Sequence, residues 1–499
     1  MSALFEINEF DEDNLEIRDT GVDLSPDRSR VIARFFVPGH ETVGPGDSRA
    51  TQVINRILCL SESDVEDAMR EVDSYFSERH RDLHNYLNDN AELVLANFDS
   101  ITPMSAARRH LIGATFTNEY SIEGAALCNP SAVLHPHQDT SGDAKFVMSV
   151  RGIGEGHISS ISFRTGRVSP DGTVTIDEPD RFPVAADGIP GQHHKGVFHA
   201  KLEQLGDDPE ITRLVLDPLL PRFDTAALDA QTELLAANSA DQIDTAKTLS
   251  NLKHLARSSY RVDFPMLSTI SERVLWPQSP AEAKGMEDAR FVRFVADSGE
   301  SVYYATYTAF DGANISVQLL ETSDFKTFTS SPMAGAAASG KGLALFPRMI
   351  NGKFAALSRS DRETNSIAFS DDLLCWDEST SIQVPEQSWE VLQLGNCGSP
   401  IETDSGWLVL THGVGPMRKY SIGAILLDLD EPQKVIARLS RPLISPSLDR
   451  RDGYVPNVVY SCGGFVHHDT LVLPYGIADQ AISIATVSID QLINAMDFE

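Results

Sequence analysis

The stretch Y-Y-A-T-Y-T-A-F-D-G-A-N-I-S-V-Q, Tyr303 to Gln318, reads as two strands joined by a turn. Tyr, Thr, Ile and Val suit a pleated, half-buried surface, and the Asp, Gly and Asn between them punctuate it. Its closing phrase N-I-S-V-Q has four counterparts: S-S-I-S-F at Ser159 to Phe163, S-I-A-F-S at Ser366 to Ser370, S-I-G-A-I at Ser421 to Ile425, and I-S-I-A-T at Ile482 to Thr486. The last four phrases in the chain each follow another strand-like run, in order Y-Y-A-T-Y, F-A-A-L-S, W-L-V-L-T and L-V-L-P-Y. Their central residues, Ile315, Ile367, Ile422 and Ile484, recur at roughly 50–60 residues, near the period of propeller blades with four short strands each. The pattern predicts a mainly β chain, a five-bladed β-propeller with helical additions. Two repeats run on into Ser323-Asp324-Phe325…Phe328 and Ser370-Asp371-Asp372…Trp376, whose aromatics are expected to pack between blades.

The helical additions lie outside the repeats. Val65, Met69, Val72, Phe76, Leu83 and Leu87 recur at helical spacing between Leu60 and Leu95, with Ser63 and Glu66 as a capping box. A second helical region, from about Asp208 to His254, accounts for much of the excess length in the gap after Ile161. The expected organisation is an acidic segment and helical extension over 1–115, then the propeller over 116–499 with a helical insertion at about 205–260.

The chain has 499 residues and a net charge of −31, which opposes attraction to phosphate backbones and anionic lipid. Nucleic acid and membrane surfaces are therefore not expected partners. The N-terminus carries Glu6, Glu9, Asp11, Glu12, Asp13 and Glu16 without an apolar run, so a cytoplasmic location is expected. The five cysteines are widely spaced and lack a C-x-x-C, arguing for buried thiols and against disulfides or a zinc site. No metal or organic cofactor is expected.

A propeller brings equivalent strand ends to one axis, where Arg151, Tyr307, Asp311, Arg359, Asp361, His412, Tyr475 and Asp479 would form a polar ring suited to hydroxyl groups. The sharpest local feature is Gly285-Met286-Glu287-Asp288-Ala289-Arg290, two adjacent carboxylates and an arginine entering a strand. Neighbouring side chains in a strand face opposite sides, so Glu287 and Asp288 share one ligand only if the backbone is distorted. Standing alone, the hexapeptide would read as a loop with a Glu287–Arg290 ion pair.

It resembles the G-x-E-D-P-R signature of glycoside hydrolase family 130, the β-mannoside phosphorylases and β-mannosidases. Further phrases resemble that family in order: Asn129-Pro130-Ser131-Ala132, Ser149-Val150-Arg151, Tyr307 to Gly312, Lys341 with Ala344-Leu345-Phe346-Pro347, His412-Gly413-Val414, and Val455-Pro456-Asn457-Val458-Val459. The resemblance covers roughly 125–200 and 270–490 and implies a five-bladed propeller cleaving β-mannosides with inversion.

On the same resemblance Asp288 is the proton donor, and Asn129, Arg151, Glu287, Tyr307, Asp311 and Asp479 surround the mannosyl ring. Lys341, Arg359 and His412 would bind inorganic phosphate, the co-substrate of a phosphorylase. An inverting hydrolase would instead need a carboxylate to deprotonate water, with Glu363 and Glu390 as candidates. Three departures stand out: Ala289 replaces the signature proline, glycines flank Lys341, and Ser358 replaces the histidine before Arg359. Phosphorolysis and hydrolysis both stay open here, with a non-enzymatic binding propeller as a weaker reading. The helical additions are expected to restrict access, favour short oligosaccharides and support a homo-oligomer.

Overall fold

Each of the five repeated phrases lies in the third strand of an antiparallel meander in the computed structural model, which describes residues 15–38, 48–96, 103–140, 142–238 and 243–498. The first meander runs Ala126–Leu134, Ala144–Ile153 and Ser159–Val168. The second runs Gly285–Val295, Ser301–Phe310, Ile315–Thr322 and Thr327–Pro332. Ala344–Leu345, Phe354–Ser358, Asn365–Ser370 and Ser379–Gln383 form the third. The fourth is Gln393–Asn396, Gly406–Val414, Tyr420–Leu427 and Val435–Arg438. In the fifth, Val459–Tyr460, Thr470–Ile477 and Ala481–Ser488 are joined by the N-terminal strand Ile17–Leu24, with Ile17 opposite Val487.

The first two meanders share one sheet through a parallel pairing of Gly285 with Ser159. A β-carbon on Gly285 would lie 2.2 Å from Ser159 Oγ, and its φ of +133° is open only to glycine. The leading glycine of the signature is thus a steric requirement of this junction.

Apolar side chains fill the spaces between meanders. Phe163 of the first stacks on Phe328 of the second and meets Phe325 edge-on, each at 5.7 Å. Trp376 packs with Val292, Val317, Leu345 and Ala356 between the second and third. Trp407 joins Phe346 and Leu357 between the third and fourth, and Leu410 and Ile422 meet Leu473 and Val487 between the fourth and fifth. Phe465, Val472 and Ile484 of the fifth pack against Phe146 and Met148 of the first. Phe325, Phe328 and Trp376, expected as packing residues, are fully buried.

Cα proximity divides the chain into a larger unit, residues up to 26 with 125–179 and 185–499, and a smaller one, 27–124 with 180–184. The expected boundary near 115 lies nine residues earlier, and the strand Ile17–Leu24 belongs with the meanders because it pairs there. Glu6, Glu9, Asp11, Glu12 and Asp13 lie outside the described residues.

In the smaller unit the expected long helix is two, Glu62–Phe76 and Leu83–Leu95, separated by a polar stretch. Its cap is Ser61 and not Ser63: the Ser61 side chain accepts the Asp64 amide at 3.2 Å, and Ser63 sits inside the first turn. The insertion begins earlier than expected, with helices Lys195–Gln204, Pro209–Leu216, Thr225–Asn238 and Ile243–Ala256. Phe198, Leu202, Leu216, Leu228 and Leu252 give it a core of its own.

Cys128, Cys397 and Cys462 are buried as expected, whereas Cys59 is exposed where the helix Arg49–Leu58 ends, and Cys375 is half-buried. Among the described residues no helix is long and apolar enough to cross a membrane.

Candidate active site

The first strands of the first two meanders carry the same irregularity. Cys128 faces Arg151 and Ser131 faces Ser149, so one strand advances three residues where its partner advances two. Glu287 faces Thr308 and Arg290 faces Thr306, the same mismatch. Each is a β-bulge, and in each a residue enters the left-handed region, Asn129 at φ +48° and Asp288 at φ +56°. Holding non-glycine residues there costs roughly 1–2 kcal/mol apiece, least for Asn and Asp.

The bulge suspends the alternation of side chains, so both carboxylates of the signature reach one guanidinium. Arg151 Nη2 donates to Glu287 Oε1 at 2.6 Å and Nη1 to Asp288 Oδ1 at 3.3 Å. Asn129 Nδ2 donates to the same Asp288 oxygen at 2.6 Å, and the Phe291 amide donates to Ser131 Oγ at 3.1 Å. Lys341 Nζ donates to the other Glu287 oxygen at 2.6 Å. Arg290 makes no simple pair with Glu287; it donates to the Asp288 carbonyl at 3.0 Å and to the Tyr460 hydroxyl at 2.8 Å, pinning the bulge from behind.

These charges push two carboxyls in opposite directions. Burial alone would raise Asp288, but Arg151, Lys341, Arg290 and the Asn129 hydrogen bond outweigh it and hold it at about 2. Asp479, itself at φ +48°, is pushed up to about 6 by burial and by the Asp288 charge, against Arg151 and Arg418. The candidates Asn129, Arg151, Glu287 and Asp288 are therefore in direct contact, with Asp479 within their field.

Arg359 and His412 form a second group. His412 Nδ1 lies 3.1 Å from the Asn396 carbonyl, which only accepts, so Nδ1 carries the proton and Nε2 accepts from Arg359 Nη1 at 3.1 Å. Burial lowers the imidazole well below its ordinary pKa, and Arg359 and Arg290 act in the same direction, which keeps it neutral. Both ring nitrogens of His412 are thus engaged by the protein, and the ring supports Arg359. Arg359 Nε is buried without a hydrogen-bond partner among the described residues. A β-carbon on Gly395 would lie 2.7 Å from the His412 ring and 2.8 Å from Arg359 Cδ, so the pair fits only over glycine.

Other sequence candidates are engaged differently. The Tyr307 hydroxyl donates to Glu282 and lies 2.9 Å from Ser330 Oγ in a buried network. Asp311 caps its own turn, accepting the amides of Ala313 and Asn314 at 2.7 and 2.6 Å. Glu390 is buried but accepts the amides of Glu386 and Gln387 at 2.9 and 3.0 Å. Glu363 is exposed in a turn that Asp361 caps, so neither glutamate joins the Asp288 group. Ser358 is buried and donates to the Ala337 carbonyl at 2.6 Å. Sequence reading did not single out Tyr460 or Asn396: the first ends the V-P-N-V-V-Y phrase, while the second acts through a backbone carbonyl, which leaves no residue-type signal.

Contacts link all five meanders here. Asn129 of the first touches Asp288 of the second, Lys341 touches Glu287, Arg359 before the third strand of the third meander touches His412 of the fourth, and the His412 ring lies 4.9 Å from Tyr460 of the fifth. Such a group can hold an anion beside a carboxyl acid and many hydroxyls around it.

The chain belongs to glycoside hydrolase family 130: the family's profile, described as β-1,4-mannooligosaccharide phosphorylase, matches residues 245–498. It is 34% identical over 246 residues to a 1,2-β-oligomannan phosphorylase of Thermoanaerobacter sp. (strain X514), covering 48% of this chain and 81% of that protein. It is 33% identical over 258 residues to a β-1,2-mannobiose phosphorylase of the same strain, covering 50% and 83%. The solved β-1,2-mannobiose phosphorylase of Listeria innocua, in complex with β-1,2-mannobiose, aligns with a TM-score of 0.43 at 20% identity, over 75% of this chain and 92% of that one.

Proposed function

We propose that this protein is an inverting β-mannoside phosphorylase, converting a β-mannosyl oligosaccharide and inorganic phosphate to α-mannose 1-phosphate and a shortened sugar. The single observation that carries the reading is the placement of one carboxyl acid, Asp288, among Arg151, Lys341 and Arg290, in a member of this family. Both glutamates weighed as hydrolytic bases hold turns or face solvent instead.

In the proposed reaction Asp288 gives its proton to the glycosidic oxygen as the bond from that oxygen to the anomeric carbon breaks. A phosphate oxygen attacks the same carbon from the opposite face, and the proton that hydrogen phosphate brings restores the acid. Phosphate is already anionic, so what the protein supplies is cations: Arg359, braced by His412, and Lys341 once phosphate competes with Glu287 for it. Phosphate arriving near Asp288 adds a like charge and offsets the arginines, raising the carboxyl toward the range in which it carries a proton. Asn129, Arg151, Glu287 and Asp479 hold the mannosyl hydroxyls in this scheme.

The same reading makes the five meanders blades of a five-bladed propeller. Apolar clusters between each meander and the next, and from the fifth back to the first, support it, as does a polar site drawn from all five.

The test is incubation with β-1,2-mannobiose with and without phosphate. Release of α-mannose 1-phosphate only with phosphate is expected; free mannose at equal rates in both reactions would establish hydrolysis instead.

A further inference from the structure

The Ser370-Asp371-Asp372…Trp376 turn of the third meander buries its tryptophan, but its polar residues have no part in the chemistry above. They meet the start of the helical insertion. His194 closes a two-residue strand paired with Arg222–Phe223 and immediately precedes the helix Lys195–Gln204. An imidazole nitrogen of His194, a carboxylate oxygen of Asp372 and the Cys375 sulfur all lie within 4.8 Å of one another, and the three residues are half-buried. Among the described residues no other three histidine, cysteine or carboxylate side chains converge in this way.

The protein leaves these donors poorly used. His194 Nδ1 is buried without a hydrogen-bond partner among the described residues. Nε2 lies 3.4 Å from Asp372 Oδ2, long for a charge-assisted hydrogen bond. That spacing suits two ligands of one tetrahedral zinc, which at about 2.0–2.2 Å from the metal stand about 3.3–3.6 Å apart. The turn fixes its side of the group through the backbone. The Leu374 amide donates to Asp372 Oδ1 at 2.9 Å, leaving Oδ2 toward His194, and the Cys375 amide donates to the Asp372 carbonyl at 3.2 Å. A β-carbon on Gly196 would stand 3.4 Å from His194 Nδ1 and 3.8 Å from the Cys375 sulfur, which sets the first turn of the helix beside both. Around the sulfur, Asp372 and Asp377 place two negative charges against the one positive charge of Lys201, a balance that favours a cation.

We propose that His194, Asp372 and Cys375 bind one zinc ion, with water as the fourth ligand, and that the ion clasps the helical insertion to the third meander. Nitrogen, oxygen and sulfur ligands together suit zinc over magnesium or calcium. The sulfur binds as thiolate, and its proton leaves to solvent. The cysteine spacing that argued against zinc in the sequence is blind to a site with a single cysteine and a histidine from a distant segment. The test uses the full chain stripped of metal with EDTA, titrated with zinc by calorimetry and with cobalt(II), whose thiolate complexes absorb in the near ultraviolet. One zinc per chain and a thiolate-to-cobalt band are expected. Cys375→Ser and His194→Ala should each weaken zinc at least tenfold, and Cys375→Ser should abolish the band, whereas Cys59→Ser, at the exposed cysteine, keeps both. Zinc should also slow proteolysis within the insertion in wild type and not in Cys375→Ser. Circular dichroism confirms that the variants fold. A wild type that binds no zinc, or binds it without a thiolate band, overturns the proposal, as does a band that survives in Cys375→Ser; equal proteolysis with and without zinc overturns the clasp.

Discussion

The proposed sugar side and the proposed phosphate side of the site are built by different means. On the sugar side, function sits in the backbone: two bulged strands hold Asn129 and Asp288 in left-handed conformations, and the side chains follow. On the phosphate side no bulge falls at the functional residues, and function sits in side chains that lean on one another, Arg359 on His412 and His412 on the Asn396 carbonyl. A backbone-built site resists rearrangement, whereas a chain of side chains fails when any link is removed.

The largest effect expected is from Asp288→Asn, which keeps the shape and the bulge but removes the proton. Turnover of β-1,2-mannobiose should fall at least about 10²–10⁴-fold with mannobiose binding retained. A variant keeping wild-type turnover would break the assignment of the sugar side. Next, Arg359→Ala should raise the KM for phosphate by about tenfold or more, with the mannobiose KM little changed, because a charge-assisted contact is worth about 1.5–3 kcal/mol. Gly395→Ala should move the same constant by displacing Arg359 and His412; an effect on mannobiose instead would erase the distinction between the sides.

Asp479 offers a stability readout. Its pKa of about 6 in the folded state exceeds the ordinary 3.8, so the native protein binds this proton more tightly than the unfolded chain. The associated stability is complete below about 3.8 and is lost as pH rises through 6. Asp479→Asn should therefore raise the unfolding free energy at pH 8 and not at pH 3.5, by at most about 3 kcal/mol as read in urea melts, while impairing catalysis. The smallest expected effect lies in the smaller unit: Ser61→Ala should cost about 0.5–2 kcal/mol of stability in urea melts, and Ser63→Ala much less.

The meanders were legible because their strands repeat with turns between them, and the paired carboxylates at Glu287 and Asp288 stood out because a dense hexapeptide carries them. The bulge was only half legible: Glu287 next to Asp288 demanded a distortion, but Ser131 and Tyr460, which hold it, lie far away in sequence. Glu390 misled for the opposite reason, since a buried glutamate capping a turn has the same letter as a catalytic base. The cap at Ser61 was missed by two positions because S-E-S-D offers two serines, and only backbone geometry chooses between them.

The pairing of Ile17–Leu24 with Ala481–Ser488 has a consequence for biogenesis. On the ribosome Ile17–Leu24 must wait, unpaired, until Ala481–Ser488 has emerged. Pairing of the fifth meander with its N-terminal strand is therefore late in synthesis, and until then Ile17–Leu24 and Ala481–Ser488 each present an open edge to the cell.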